Sequence, residues 1–227
     1  MQAVVLVSGG MDSAALLHYV VKRLGCTAVH ALTYRYGQKH EREIEMAACQ
    51  CRSLTQVTDW KIVDISVLGE MTAGASALTD STIAVPDLEA IPEEQLSQPP
   101  TYVPNRNMVL ISLAAAYGES RGCETVFYGA QAQDKYGYWD CTAEFLERLN
   151  HVLSLNRRQP ISVQAPFVAM RKAEELAIGL ELGVDFSRTW SCYRGGTRAC
   201  GQCPSCRERL QAFNEVGVPD PIEYERC

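Results

Sequence analysis

The sequence predicts an α/β protein built on a Rossmann-like, doubly wound parallel sheet. Apolar, β-branched segments alternate along the chain with segments of helical periodicity. A short loop rich in glycine and serine joins the first predicted strand to the first predicted helix. The 227 residues, 47% of them hydrophobic, are enough to bury an ordinary core. Strand–helix alternation of this kind is typical of a parallel sheet with helices on both faces.

Five segments are predicted strands and five are predicted helices. The strands are residues 3–8, 28–34, 60–64, 124–128 and 161–164. The helices are residues 12–24, 40–55, 107–121, 142–156 and 169–182. Ligands of such folds bind beyond the carboxyl ends of the strands, which is where residues 8–13 follow the first strand.

The loop "SGGMDS", residues 8–13, is a candidate phosphate-binding loop. Gly9 and Gly10 can adopt positive φ and carry no Cβ, so backbone N–H groups can approach an anion closely. The helix that starts near Asp12 directs its positive end at the same place. The alternative is a simple turn in which Asp12 or Ser13 caps the helix.

Residues 69–104 interrupt the alternation with a proline-containing segment of little periodicity. We expect a partly mobile excursion near the site, and a surface insertion without a role is the alternative.

Composition favours small-molecule chemistry. The formal net charge of −6 is unfavourable for a protein whose main role is to bind long nucleic acid, although a local basic patch stays possible. No run approaches eighteen apolar residues, and no basic leader precedes the first strand. We therefore expect a soluble, cytoplasmic protein without membrane association.

Four of the ten cysteines are clustered as C-x7-C-x2-C-x2-C: Cys192, Cys200, Cys203 and Cys206. This spacing predicts a closed, structural Zn²⁺ site, with Gly201 allowing a sharp turn and Pro204 stiffening the last spacer. An iron–sulfur cluster and a redox dithiol are the alternatives. The expected organisation is an α/β domain over residues 1–185 with a zinc-binding segment, residues 186–227, packed on it.

Several motifs together resemble the 7-cyano-7-deazaguanine synthase family of PP-loop ATP pyrophosphatases. They are "SGGMDS", "YGQKH", "PNRNMVLISLAAAYGE", "YGYWDC" and the four-cysteine knuckle. The resemblance implies an adenine nucleotide alpha hydrolase-like fold. It also implies that ATP adenylates the carboxylate of 7-carboxy-7-deazaguanine, that ammonia gives the amide, and that a second adenylation gives the nitrile. A homodimer is a further expectation from this likeness.

The resemblance also implies the site residues. ATP is expected at Val7, Ser8, Gly9, Gly10, Met11, Asp12, Ser13, Ala14, Ala15, Leu16, Leu17, Tyr36, Gln38 and His40. The expected catalytic residues are Asp12, Ser13, Arg106 and Asp134. Mg²⁺ is expected between the phosphates, Asp12 and Asp134. Arg106 is expected to pair with the substrate carboxylate or a phosphate, although a surface role remains open for it, as does simple capping for Asp12.

The chain departs from the family pattern at four positions. Tyr136, Trp139 and Thr142 stand where a small residue, a proline and an arginine are usual, and Asn105 replaces a glycine. A bulky tryptophan would reshape the pocket wall, and loss of the arginine would remove an anion partner. The product could therefore be the amide, or an adduct with another amine such as a protein terminus.

Two other function classes stay open at this point. One is sulfur transfer to transfer RNA, in which an RNA-binding patch would consist of Arg194, Arg198, Arg207 and Arg209. The other is a nucleotide-sensing module that binds ATP without turnover.

Overall fold

A five-stranded parallel sheet forms the centre of the computed structural model, which describes residues 1–39, 42–96, 98–132 and 138–225. The strand order is β3-β2-β1-β4-β5. The strands are β1 (Gln2–Leu6), β2 (Ala28–Arg35), β3 (Val57–Asp64), β4 (Thr125–Phe127) and β5 (Ser162–Gln164). This order confirms the doubly wound fold, and the direction of winding reverses between β1 and β4.

Helices cover both faces of the sheet. They are α1 (Met11–His18), α2 (Arg42–Arg52), α3 (Val67–Met71), α4 (Arg106–Arg121), α5 (Ala143–Leu153), α6 (Lys172–Glu181) and α7 (Pro204–Val216). On β1, Val5 packs with α1 and α2, whereas Val4 packs with α4 and α5. This alternation follows from the period of two along a strand, and it makes β1 apolar on both faces.

Most predicted elements are present with shifted ends. β3 begins three residues earlier than expected, at Val57, where it pairs with Val29. The first helix continues beyond α1 as a π-helical turn, Tyr19–Arg23. Helix α6 begins at Lys172 rather than at residue 169, because the Glu174 side chain accepts a hydrogen bond from the Arg171 N–H and defines the helix start there.

Helix α7 has no counterpart in the sequence prediction. It begins with Pro204 at its first position, where the missing N–H costs no hydrogen bond, and it ends at Gly217 with φ of 78°. Phe213 packs on its inner side against Phe186, in a small core shared with α1 and α6. The element was missed because the metal-binding pattern that overlaps its first turn was interpreted as a loop.

The long excursion of residues 69–104 is anchored at several points. Ser76, Ala77 and Thr101 are fully buried within it. The Leu88 N–H donates to the Gln202 carbonyl at 3.1 Å, which joins the excursion to residues 186–227, the cysteine-bearing segment. The excursion therefore packs against the segment that carries the clustered cysteines.

In the part of the chain that the structure describes, no helix combines the length and the apolar character needed to cross a bilayer.

Candidate functional site

A cavity of about 220 Å³ opens at the carboxyl ends of β1, β2 and β4. It lies at the point where the winding of the sheet reverses, the usual ligand position in this architecture. Its lining includes the predicted residues Val7, Ser8, Gly10, Met11, Asp12, Ser13, Tyr36, Gln38 and Arg106. Most of the predicted nucleotide site therefore faces one cavity.

Ser13 organises the glycine-serine loop from within. Its Oγ accepts hydrogen bonds from the N–H groups of Ser8 and Gly9, each at 3.1 Å, and donates to the Gly10 carbonyl. These two loop amides therefore point at Ser13 and not into the cavity. The backbone N–H groups of Met11, Asp12 and Ser13, in the first turn of α1, bond to no acceptor among the described residues. An anion would find its donors there.

The two glycines have different conformations. Gly9 has φ of 93°, and a Cβ added there would lie 1.9 Å from the Glu43 carbonyl oxygen, so no other residue fits this close approach to α2. Gly10 has φ of −73° and ψ of 167°, an extended conformation open to any residue. Of the two glycines, Gly9 thus uses the positive φ that glycine allows, and Gly10 does not.

The predicted nucleotide contacts on α1 after Ser13 are not at the cavity. Ala14, Ala15, Leu16 and Leu17 are fully buried in the core, and none of them lines the cavity. The reason is geometric, because α1 points its amino-terminal end at the cavity and its apolar side chains at the sheet and α6. The part of α1 that lines the cavity is therefore its first turn alone.

Asp12 and Lys172 form a charged pair beside this first turn. Asp12 Oδ2 lies 3.3 Å from Lys172 Nζ, which also lies 3.2 Å from Glu208 Oε2. Asp12 Oδ1 is buried and has no partner among the described residues. Burial lowers the pKa of Lys172, but the charges of Asp12 and Glu208 outweigh it and raise that pKa overall. The lysine is an ammonium ion at neutral pH.

Arg106 lies across the cavity from this pair, at the first position of α4. Its Nη1 donates to the Tyr36 hydroxyl at 3.4 Å, and its Cζ is 5.6 Å from the centre of the Tyr36 ring. Burial raises the pKa of the Glu43 carboxyl to about 8, while the charge of Arg106 opposes that rise. Arg106 therefore lies at the cavity, in contact with Tyr36.

Gln38 shapes the turn after β2. Its Oε1 accepts from the Tyr36 N–H at 2.8 Å, and its Nε2 donates to the Tyr34 carbonyl at 3.0 Å. These bonds hold Tyr36 at the cavity wall. The predicted residues His40 and Asp134 lie outside the described residues, as does Tyr136.

Two departures from the family pattern lie away from the cavity. Trp139 is 42% exposed, is absent from the lining, and donates from Nε1 to the Tyr102 hydroxyl at 2.8 Å. Thr142 caps α5 by accepting from the Phe145 N–H. The expectation that Trp139 reshapes the pocket wall is wrong, because its ring packs against Phe145 and the long excursion.

Asn105, where the family usually has glycine, precedes Arg106 in a left-handed conformation. Its φ is 54°, and it is the one described residue other than glycine with positive φ. Asparagine tolerates this region better than most residues, so the turn that presents Arg106 is kept.

The cysteine-bearing segment supplies one wall of the cavity. Trp190, Ser191, Tyr193 and Ser205 line it. The Trp190 N–H also donates to the Gly9 carbonyl at 2.9 Å, which ties the segment directly to the phosphate-binding loop. Residues after 185 are thus part of the site and not only an attachment to it.

The four clustered cysteines fit a single tetrahedral ion. All are buried, and their sulfur atoms lie within 4.8 Å of one another. The Sγ atoms of Cys200 and Cys206 are 3.9 Å apart, and a zinc ion with four sulfurs at about 2.3 Å would hold them about 3.8 Å apart. An iron–sulfur cluster, in which the cysteines bind different irons, needs wider spacing. Gly201 has φ of 72°, as the sharp turn requires.

The four arginines of the predicted RNA-binding patch pair with carboxylates. Arg194 pairs with Asp87, Arg198 with Glu223 and Arg207 with Glu89. Arg209 is 0% exposed and forms a two-pronged contact with Asp220. These pairings leave little positive charge for an RNA-binding patch at this surface.

Sequence reasoning missed two charged residues of the cavity, Lys172 and Glu43. Each lies in the first turn of a helix that follows a strand, so the carboxyl-edge rule for parallel sheets could have found both. Neither residue lies in one of the motifs on which the family resemblance rests.

The family and the relatives agree with this geometry. A family model described as "Queuosine biosynthesis protein QueC" matches residues 2–217. A 7-cyano-7-deazaguanine synthase of Marinobacter nauticus is 45% identical over 223 residues, which cover 98% of this chain and 97% of that protein. One of Caldicellulosiruptor bescii is 48% identical over 225 residues, which cover 99% of this chain and 98% of that protein.

Among solved structures, a 4-thiouridine synthetase–RNA complex with bound ATP aligns with a TM-score of 0.50 at 16% identity. The alignment covers 98% of this chain and 47% of that one, and it is a likeness of fold alone. On the family model and the two synthases, this chain belongs to the QueC family of queuosine biosynthesis proteins.

Proposed function

We propose that this chain is an ATP-dependent ligase that converts 7-carboxy-7-deazaguanine and ammonia into 7-cyano-7-deazaguanine. The observation that carries the proposal is the family match over residues 2–217, together with relatives of that name at 45% and 48% identity. The cavity supports it, because it places free helix amides, an ammonium and a guanidinium around one space.

The chemistry begins with activation of a poor electrophile. A carboxylate oxygen of the substrate attacks the α-phosphorus of ATP, and the bond to the pyrophosphate oxygen breaks with its electron pair. The first-turn amides of α1 donate to the phosphates, so charge that develops on pyrophosphate is stabilised. Arg106 is suited to orient the substrate carboxylate by a two-pronged contact.

Ammonia then attacks the carbonyl carbon of the acyl-adenylate, and AMP and a proton leave to give the amide. Adenylation of the amide oxygen by a second ATP releases pyrophosphate, and loss of AMP and of both protons on the nitrogen gives the nitrile. Each nitrile therefore consumes one ammonia and two ATP, and releases two AMP and two pyrophosphates.

We propose two metal ions for this chain. Asp12 Oδ1, buried and without a partner among the described residues, is suited to bind Mg²⁺ together with the phosphates. Mg²⁺ supplies charge neutralisation between the carboxylate and the triphosphate. The four cysteines are suited to hold Zn²⁺, which supplies structural closure because no ligand position stays open.

We also propose that residues 186–227 act as a zinc-braced wall of the α/β domain of residues 1–185. The contact between Trp190 and Gly9 supports this view. A homodimer and a cytoplasmic location stay proposals from family likeness.

The test is a turnover assay on the zinc-loaded protein with ATP, MgCl₂, 7-carboxy-7-deazaguanine and ammonium. We expect a product with the mass of the nitrile and two pyrophosphates for each one formed. Arg106→Lys keeps the positive charge but cannot make the two-pronged contact of a guanidinium with a carboxylate. We expect it to raise the KM for the deazaguanine by at least about tenfold. Accumulation of the amide or of an amine adduct would contradict nitrile formation, and absence of substrate-dependent pyrophosphate would contradict the ligase proposal.

A further inference from the structure

Tyr128 lies at the carboxyl end of β4 and lines the cavity. Its N–H donates to the Gln164 carbonyl at 3.1 Å, which continues the pairing of β4 with β5 and fixes the backbone at this point. Gly129, the next residue, lies against the first turn of α1, since a Cβ added to it would be 3.5 Å from the Ser13 nitrogen. Tyr128 therefore stands at the edge of the sheet where the winding reverses.

The Tyr128 hydroxyl is a buried polar group that has no hydrogen-bond partner among the described residues. The residue is 4% exposed. By contrast, three other tyrosines that line the cavity have hydroxyls paired within the chain: Tyr34, Tyr36 and Tyr138. Because buried polar groups in proteins are nearly always paired, the hydroxyl of Tyr128 is suited to bond with a ligand in the cavity.

The wall around Tyr128 is apolar and aromatic. Leu32, Tyr34 and Leu110 belong with Tyr128 to the core beneath α4 and α5, and all four also line the cavity. Helix α1, whose first turn is suited to phosphates, packs on the opposite face of the sheet. A wall of this kind suits a flat heterocycle better than a polyphosphate.

The position of Arg106 indicates which heterocycle this wall receives. Arg106 begins α4, the helix that covers the same core, and it is suited to the carboxylate of the substrate. A deazaguanine whose carboxylate meets Arg106 has its ring against the wall that contains Tyr128. The ring carries a carbonyl oxygen, which is a good hydrogen-bond acceptor.

The Tyr128 hydroxyl is a donor at neutral pH. Burial raises the pKa of this phenol, and the neighbouring acidic groups of Cys141 and Asp140 add to the rise. The hydroxyl therefore keeps its proton and needs an acceptor.

We propose that the Tyr128 hydroxyl donates a hydrogen bond to the ring carbonyl oxygen of 7-carboxy-7-deazaguanine, which makes Tyr128 a specificity-determining residue. The inference rests on the proposed function for the identity of the substrate. A heterocycle with an amino group in place of this carbonyl offers no acceptor there, so the buried proton of Tyr128 would stay unpaired.

The test measures binding of two acids to the full, zinc-loaded chain by calorimetry, in the presence of MgCl₂ and α,β-methylene-ATP, which cannot adenylate a carboxylate. The acids are 7-carboxy-7-deazaguanine and its analogue with sulfur in place of the ring carbonyl oxygen. We expect Tyr128→Phe to weaken binding of the oxygen acid by about tenfold and to leave binding of α,β-methylene-ATP within about twofold.

The sulfur analogue tests which ligand atom the hydroxyl contacts. Sulfur accepts hydrogen bonds weakly, so we expect the parent to bind the analogue about fivefold more weakly than the oxygen acid. In Tyr128→Phe the two acids should bind equally, because the bond that distinguishes them is gone.

Tyr117→Phe is the matched control, since it removes the same atom elsewhere in the chain. Tyr117 lies on α4, is absent from the described cavity lining, and donates from its hydroxyl to the Asp59 carboxylate. This variant should bind both acids as the parent does and unfold at a lower urea concentration. Tyr128→Phe should unfold at a urea concentration no lower than that of the parent, because its hydroxyl has no partner to lose.

Three results would overturn the inference. They are equal affinity of the parent and Tyr128→Phe for the oxygen acid, the same preference for oxygen over sulfur in both proteins, and weakening of α,β-methylene-ATP instead of the acid. A parent that recognises the acid through Tyr128 yet forms no nitrile would overturn the proposed reaction and leave this recognition standing.

Discussion

At the scale of single residues, Gly9 and Gly10 provide a matched pair. Gly9→Ala forces a Cβ to within 1.9 Å of the Glu43 carbonyl at positive φ, whereas Gly10→Ala meets no atom closer than 3.4 Å. We expect the first change to lower the free energy of unfolding by on the order of 3 kcal/mol and the second to change it little. Urea denaturation of both variants measures this, and similar losses would show that the loop does not pack on α2 as described.

Glu43 predicts a pH dependence of stability. Its pKa is about 8 in the folded protein and near 4.5 as an ordinary value, so the folded state holds a proton that the unfolded state releases. The free energy of unfolding should therefore fall as pH rises between 4.5 and about 8, by at most about 1.4 kcal/mol per pH unit from this group.

Glu43→Gln removes this contribution because glutamine does not titrate. We expect the free energy of unfolding, measured with urea, to depend less on pH across the same window than it does in the parent. Parallel curves for the two proteins would show that the carboxyl is ionised in the fold.

At the scale of elements, the cysteine-bearing segment and the glycine-serine loop of residues 8–13 are in direct contact. Trp190 connects them, since its N–H donates to the Gly9 carbonyl and its Nε1 donates to the Cys192 carbonyl at 3.1 Å. Removal of the metal by a chelator should loosen this segment, lower the Tm and shift Trp190 fluorescence to longer wavelength, since this ring is buried.

The Trp190→Phe variant is the control for this measurement, because Trp60 and Trp139 are then the only tryptophans that contribute to the fluorescence. We expect most of the chelator-induced shift to be lost in that variant while its metal content stays at one zinc per chain. A shift of equal size would place the loosening elsewhere in the chain.

At the scale of the whole molecule, charge argues against a nucleic-acid partner. The net charge is −6, and each of the four arginines of the predicted RNA-binding patch has a carboxylate partner. We expect no measurable binding of transfer RNA at physiological salt by fluorescence anisotropy. Binding that weakens steeply with added salt would contradict this expectation and revive the thiolation hypothesis.

The half-buried Cys141 also argues against sulfur transfer to transfer RNA. Burial and the charge of Asp140 raise the pKa of the Cys141 thiol to about 12, so this cavity residue is a neutral thiol. A persulfide carrier needs a reactive thiolate, and this environment disfavours one.

Much of the fold could be predicted because its determinants are local. Alternating apolar runs identify the five strands, and the parallel order predicts a site at the carboxyl edge near Asp12 and Ser13. Lys172 and Glu208 could not be predicted, because their contact depends on how α6 and α7 pack, which no short pattern encodes. The burial of Leu16 and Leu17 likewise depends on the direction of α1 relative to the sheet.

By itself, the sequence determined the doubly wound architecture, the phosphate-binding loop and the four-cysteine cluster, since each depends on residue type and spacing along a short stretch. Only the tertiary structure decided which turn of α1 faces the cavity, that Trp139 stays outside it, and that Lys172 enters it. The physical reason is that direction and burial are set by the packing of elements far apart in the chain, where van der Waals contact and charge pairing act between residues that no local pattern connects.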